Sequence, residues 1–199
     1  MIRRLRTPLL LAAAAATLSA CVSFGAKPPP YLLTLDADAA PPAGTARTAT
    51  EAQALTILIP TAPQKLRTTR IPVQQDGSSV TYVKDAQWVE APQRLFQRLI
   101  SETVAARTSR VVLDEGQYLT APGEQLAGQL MEFGVDARTN EAVVVYQAML
   151  VAAGGKSVTQ RRFEVREALG GKVEAKPVGE ALARAANKVA VDVSGWLAG

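Results

Sequence analysis

The chain has 199 residues, of which 48% are hydrophobic, 5% aromatic and 20% charged, with a formal net charge of +4. It contains one cysteine and no histidine, and the missing imidazole excludes Ser-His-Asp and Cys-His catalysis together with every histidine metal site.

Arg3, Arg4 and Arg6 precede an apolar run from Leu9 to Leu18, and small residues follow it. That run is too short for a spanning helix, which needs roughly 20 apolar residues, so residues 1–20 read as a secretory signal. An ordinary signal would leave a secreted domain with one unpaired thiol in an oxidising compartment. Leu18-Ser19-Ala20-Cys21 resembles instead the lipobox of bacterial lipoproteins. The resemblance implies cleavage between Ala20 and Cys21, a diacylglycerol on the Cys21 thiol and an N-acyl chain on its freed amine. An acylated Cys21 is neither a metal ligand nor a nucleophile. Each buried methylene contributes about 0.8 kcal/mol, so two or three chains anchor far more firmly than one. Residue 22 is Val rather than Asp, and Asp there resembles an inner-membrane retention signal in enteric-type sorting. The expected address is the periplasmic face of the outer membrane. Removing residues 1–20 leaves 19 basic against 18 acidic side chains, so the pI of about 9.4 is no argument for a nucleic-acid partner, and none is expected.

The mature part suits one domain of ordinary size, able to bury a core. Residues 21–30 form the acylated cysteine and a proline-rich tether, at about 3.1 Å per residue when extended, and residues 31–199 a single domain. Tyr31 to Leu35 reads as a first strand, and the Ala/Pro/Thr-rich stretch at about 37–52 as a mobile loop. Leu55 to Ile59, short and ended by Pro60, reads as a buried strand. Arg70 to Gln74 and Val80 to Val83 form a hairpin around Asp76-Gly77, a dipeptide suited to positive φ.

From Pro92 to Arg107 the period becomes helical: Leu95, Phe96, Leu99, Ile100, Thr103 and Val104 share one face, and Arg94, Gln97, Arg98, Ser101 and Glu102 the other. Pro92 fits the first turn, where its missing amide is not needed. Arg110 to Leu113 is a short strand. Leu126 to Ala168 predicts a three-stranded meander with turns at Asn140 and Gly154-Gly155. Its first strand sets dry Met131, Phe133 and Val135 against wet Glu132, Gly134 and Asp136, its second is apolar on both faces, and its third buries Phe163 and Val165. A closing helix from about Val178 to Leu197 turns Leu182, Ala185, Val189, Val193 and Trp196 inward. On its outer side Glu180 can pair with Arg184 and Lys188 with Asp192. The fold class is α+β: a mostly antiparallel sheet with two amphipathic helices packed on it.

Few residues suggest chemistry. Glu132 and Asp136 share one strand face, and Asp36 and Asp38 lie two apart near the first strand, but a solvated face explains such acids without a paired-carboxylate hydrolase. Gly154-Gly155-Lys156-Ser157 lacks the leading glycine of a phosphate loop and is followed by a strand. Arg161 and Arg162 point to opposite faces. Trp88 and Trp196 read as core or interface anchors.

The order of features resembles the ABC-type transport auxiliary lipoproteins, which include the PqiC-like proteins. The resemblance rests on the lipobox at Cys21, Tyr31-Leu32-Leu33, Leu55 to Pro60, Leu66-Arg67-Thr68-Thr69-Arg70-Ile71, and Tyr82 with Ala86-Gln87-Trp88-Val89. It continues through Phe133, Arg162-Phe163 and Gly195-Trp196-Leu197. It implies a non-enzymatic periplasmic lipoprotein without a cofactor, serving an ABC permease and ATPase together with an MCE-domain substrate-binding protein in lipid transport between the two membranes. It also allows a homo-oligomeric ring. Only Cys21 carries over as a site residue. The alternative is a structural or assembly lipoprotein of another envelope complex.

Overall fold

The computed structural model describes residues 29–50, 54–117 and 123–199. The expected signal 1–20, Ala20 and Cys21, most of the tether, and residues 51 and 52 of the expected loop lie outside them. In chain order the elements are β1 (Tyr31–Leu33), β2 (Leu55–Ile57), β3 (Arg70–Gln74), β4 (Val80–Trp88), α1 (Pro92–Arg107) and β5 (Val112–Asp114). They continue with β6 (Glu124–Asp136), β7 (Glu141–Val151), β8 (Val158–Ala168) and α2 (Ala175–Ala198).

The β6-β7-β8 meander carries the two longest ladders, both antiparallel. Its turns need left-handed backbone: Asn140 has φ 55°, which asparagine tolerates, and Gly154 and Gly155 have φ 72° and 70°. The other edge of β6 is shared, with β2 pairing to its beginning and β3 to its end, both parallel. Beyond them β5 pairs with β2, β4 lies antiparallel to β3, and β1 runs parallel to β4. The two long ladders and the β3–β4 ladder are antiparallel and the parallel ladders are two or three pairs long, with two helices packed on the sheet, so the α+β architecture is as expected.

Both helices cover one face. Leu95, Phe96, Leu99, Ile100, Thr103 and Val104 of α1 are buried, as are Leu182, Ala185, Val189 and Val193 of α2. Aromatic rings join the layers edge to face: Trp88 meets Phe133 at 5.5 Å, and Phe96 meets Phe133 at 6.1 Å and Tyr146 at 5.3 Å. Such contacts add about 0.5–1.5 kcal/mol each beyond area burial. The Tyr146 hydroxyl donates to the Ala127 carbonyl at 2.9 Å, and burial raises its pKa.

Several local expectations need correction. Strands β1 and β2 stop two residues early, at Leu33 and Ile57, β4 continues to Trp88, and β5 is shifted to Val112–Asp114. The β3–β4 turn does not use positive φ at Gly77. The Asp76 carboxylate accepts the Ser78 and Ser79 amides at 2.7 and 2.8 Å, closing a wider loop in which the Gln75 amide donates to the Ser79 carbonyl. A register shift between Leu130 and Glu132 inserts Met131 as a bulge. The dry face of β6 is therefore Leu126 and Leu130 before it and Phe133 and Val135 after it, while Met131 is only half-buried, its sulfur 3.6 Å from an Arg162 nitrogen.

Gln97, expected on the polar face of α1, is buried and donates to the Ile57 carbonyl at 3.0 Å and to Asp114 Oδ1 at 2.9 Å. Arg184 and Lys188 of α2 reach Glu167 on β8 instead of pairing along the helix, because that strand brings a carboxylate between them. Glu180 pairs with Lys176. Trp196 is partly buried against Phe163, with centroids 5.9 Å apart.

The approach of β3 to β6 requires a glycine at 134. A Cβ there would overlap the Pro72 carbonyl oxygen and lie 2.8 Å from its ring carbon. Gly134→Ala should cost about 1–3 kcal/mol, read as a lower urea midpoint with little change in the slope of the transition.

Candidate functional site

The sheet face opposite the helices is built from alternate residues of β6, β7 and β8 together with Lys65, which lies in a single 3₁₀ turn, Gln64–Leu66. Apolar Val143 and Val145 form its floor and are buried although no helix covers them. In register they are flanked by Gly134 and Arg166, and by Glu132 and Glu164. Long charged side chains cover apolar surface with their stems while the charged ends stay wet.

Those ends form one separate ion pair and a set connected through Arg166. Lys65 meets Glu132 at 2.6 Å and Arg138 meets Asp136 at 2.8 Å. Arg166 lies 3.2, 3.5 and 3.6 Å from Glu164, Glu141 and Asp136, and Arg162 also meets Glu164 at 3.2 Å. The β3–β4 turn rises beside them, enclosing an open cleft of about 430 Å³ that includes Lys65, Asp76, Glu132, Asp136, Arg138 and Arg166.

The electrostatics do not suit general-acid catalysis by the shifted carboxyls. A general acid at neutral pH needs a carboxyl with a raised pKa. Hydrogen bonds from Arg138 hold Asp136 down at about 2, against the opposing effect of burial. The backbone and side chain of Ser78, with Ser79, hold Asp76 at about 2. Glu164 is lowered chiefly by hydrogen bonding from Arg162, and Glu167 by Lys188. Glu132 and Asp136 do share one face, each matched by cations. Asp36 and Asp38 lie on the helix side, where the Asp36 carbonyl accepts from the Asn187 side chain at 3.0 Å and the Asp38 amide donates to it at 2.9 Å. The sheet thus separates the two acidic pairs. Among the described residues no group of three or more Cys, Asp or Glu could hold a metal ion.

Other candidate residues are equally dispersed. Gly154 and Gly155 belong to a short 3₁₀ turn, and Lys156 and Ser157 lead directly into β8, not into a helix. Arg161 lies over the Phe163 ring on the helix side, while Arg162 joins the ion pairs opposite. Trp88 is a core residue. Sequence reasoning missed Asn187, a buried amide on α2 that fixes the chain after β1. Its place among apolar helix neighbours was the only signal. Among the described residues no helix is long and apolar enough to cross a membrane.

Among the described residues, the face opposite the helices thus presents paired charges and carboxyls with lowered pKa values. The profile of the family described as ABC-type transport auxiliary lipoprotein component matches residues 31–194. The chain belongs to this family. Among solved structures, protein XCC0632 from Xanthomonas campestris, of family DUF330, is similar at 16% identity and a TM-score of 0.71, covering 84% of this chain and 94% of that one. The structure of an uncharacterized protein aligns at 10% identity and a TM-score of 0.64, covering 76% and 96%. At these identities the likeness concerns the fold alone. No curated protein sequence matches the chain. The auxiliary-lipoprotein family associates with ABC-type transport, and the folded domain of this member begins ten residues after Cys21.

The low Asp136 pKa sets an acid limit. A group with an ordinary value of 3.8 and a folded value of about 2 contributes stability that is complete above 3.8 and is lost as pH falls toward 2. Asp136→Asn should therefore lower stability at neutral pH and flatten its decline over that window, measured by urea unfolding at a series of pH values.

Proposed function

We propose that this family member is a PqiC-like lipoprotein, acylated on Cys21 after cleavage behind Ala20 and held at the periplasmic face of the outer membrane. There it serves as a non-catalytic docking component of an MCE-type lipid transport system. In that system an inner-membrane ABC permease and ATPase supply energy, and an MCE-domain protein crosses the periplasm to the lipoprotein. The observation that carries this reading is the junction of two features: the lipobox-like Leu18-Ser19-Ala20-Cys21 and a family match that starts at Tyr31. Only the short residues 21–30 separate them, which keeps one domain, residues 31–199, beside its anchor.

The lowered carboxyl pKa values and the dispersed acids support a binding role over hydrolysis. Work in such a system is done by the ATPase, so the lipoprotein needs a shaped surface and a fixed position. The domain supplies a rigid sheet, and the acyl chains supply the position.

Cys21→Ser should leave an uncleaved or soluble precursor that folds but no longer restores the detergent resistance lost when the gene is deleted. Fractionation and a permeability assay read both effects. Normal outer-membrane residence and full complementation by that variant would defeat the lipoprotein reading. In-membrane crosslinking tests the partner: an MCE-domain protein is the expected product, and recovery of other envelope machinery alone would replace transport with an assembly role.

A further inference from the structure

The described surface exposes five large hydrophobic side chains, and three of them border the β1 edge: Tyr31 at 55% and Leu32 at 63%, which point to opposite faces of the strand, and Val89 at 51%, just beyond the end of β4. Leu33 pairs with Trp88, and the Val89 amide donates to the Leu33 carbonyl at 2.9 Å, so Val89 extends β4 alongside the end of β1. Among the described residues this edge strand pairs with β4 alone, and no other described strand lies along its outer side. Beside it, Arg70 stacks over the Tyr82 ring at 3.9 Å from the centroid, and Lys84 is exposed. Asp85 lies on the same surface as these two cations, and Glu90 is engaged by Arg98. The same shallow surface includes Pro29, the first described residue.

We infer that the β1 edge, with Tyr31, Leu32 and Val89 at its centre and Tyr82, Arg70 and Lys84 on its flank, rests on the lipid surface that holds the anchor. The inference builds on the acylation of Cys21. Chain length is the decisive constraint. Eight peptide steps separate Cys21 from Pro29, and at 3.3–3.6 Å per residue they reach at most about 30 Å. The patch therefore stays within one short tether of the bilayer, whereas exposed Val158, at the start of the opposite edge strand, has no such link. Exposed aliphatic and tyrosyl groups bordered by arginine and lysine match the headgroup boundary, which accepts apolar bodies and attracts cations. Contact there also covers the open strand edge, which would otherwise be a template for pairing with another chain.

Cys21 is the only cysteine, so its acylation leaves Leu32→Cys with a single free thiol for a nitroxide label. Position 32 is exposed, and the substitution leaves the core intact. The lipidated full-length variant, reconstituted in vesicles of phosphatidylethanolamine with a minority of phosphatidylglycerol, should show collisions with oxygen favoured over those with a water-soluble nickel chelate. A label at Val158→Cys should show the reverse. Equal, water-like accessibility at both positions in protein that floats with the vesicles would overturn the membrane face and leave the anchor intact. Spin–spin broadening at position 32, abolished by dilution with unlabelled protein, would overturn it too, in favour of a second copy on the edge. Protein that does not float with vesicles fails the acylation reading first, and this inference with it.

Discussion

One extra residue in β6 governs how the two faces of this sheet are used. Side chains alternate along a strand, so a single inserted residue exchanges the faces beyond it. The shift at Met131 lets Leu126 and Leu130 face the helices in the first half, where β2 pairs, and Phe133 and Val135 in the second, where β3 pairs. Without it, Phe133 would leave the ring cluster with Trp88 and Phe96, and Glu132 would turn toward the core. The same shift puts Glu132, Gly134 and Asp136 together on the opposite side.

That opposite side solves a different physical problem. Val143 and Val145 need cover, and no helix reaches them. Charged side chains flank them in register, Glu132 and Glu164 beside Val145 and Arg166 beside Val143, with their ends paired in the Lys65–Glu132 bridge and in a network centred on Arg166. Exposed ion pairs contribute only about 0–1 kcal/mol each, so the network's main effect is on position and protonation. It holds carboxylates ionised, which suits recognition and opposes general-acid chemistry.

The helix side sets the course of the chain near its described beginning. Asn187 on α2 accepts from the Asp38 amide and donates to the Asp36 carbonyl, and Leu33 packs where a larger residue at Gly179 would intrude. β1 is thereby held as an edge strand between the tether and the core. Under the proposed acylation, this small strand is the mechanical link from membrane to domain, and its exposed tyrosine and leucine have a physical reason to be there.

How much was legible depended on the range of the interactions. The α1 limits Pro92–Arg107, the meander, the turns at Asn140 and Gly154-Gly155, and the inward faces of both helices follow from periodicity and local backbone preference, which act over a few residues. The absence of histidine and the lipobox-like segment are likewise complete in the linear chain. Tertiary structure alone decided the bulge at Met131, the burial of Gln97 against β2 and β5, the transfer of Arg184 and Lys188 to Glu167, and the matching of Glu132 to Lys65 and of Glu141 to Arg166. Each depends on which strand or helix arrives alongside, often dozens of residues away, and local periodicity contains no information about that neighbour.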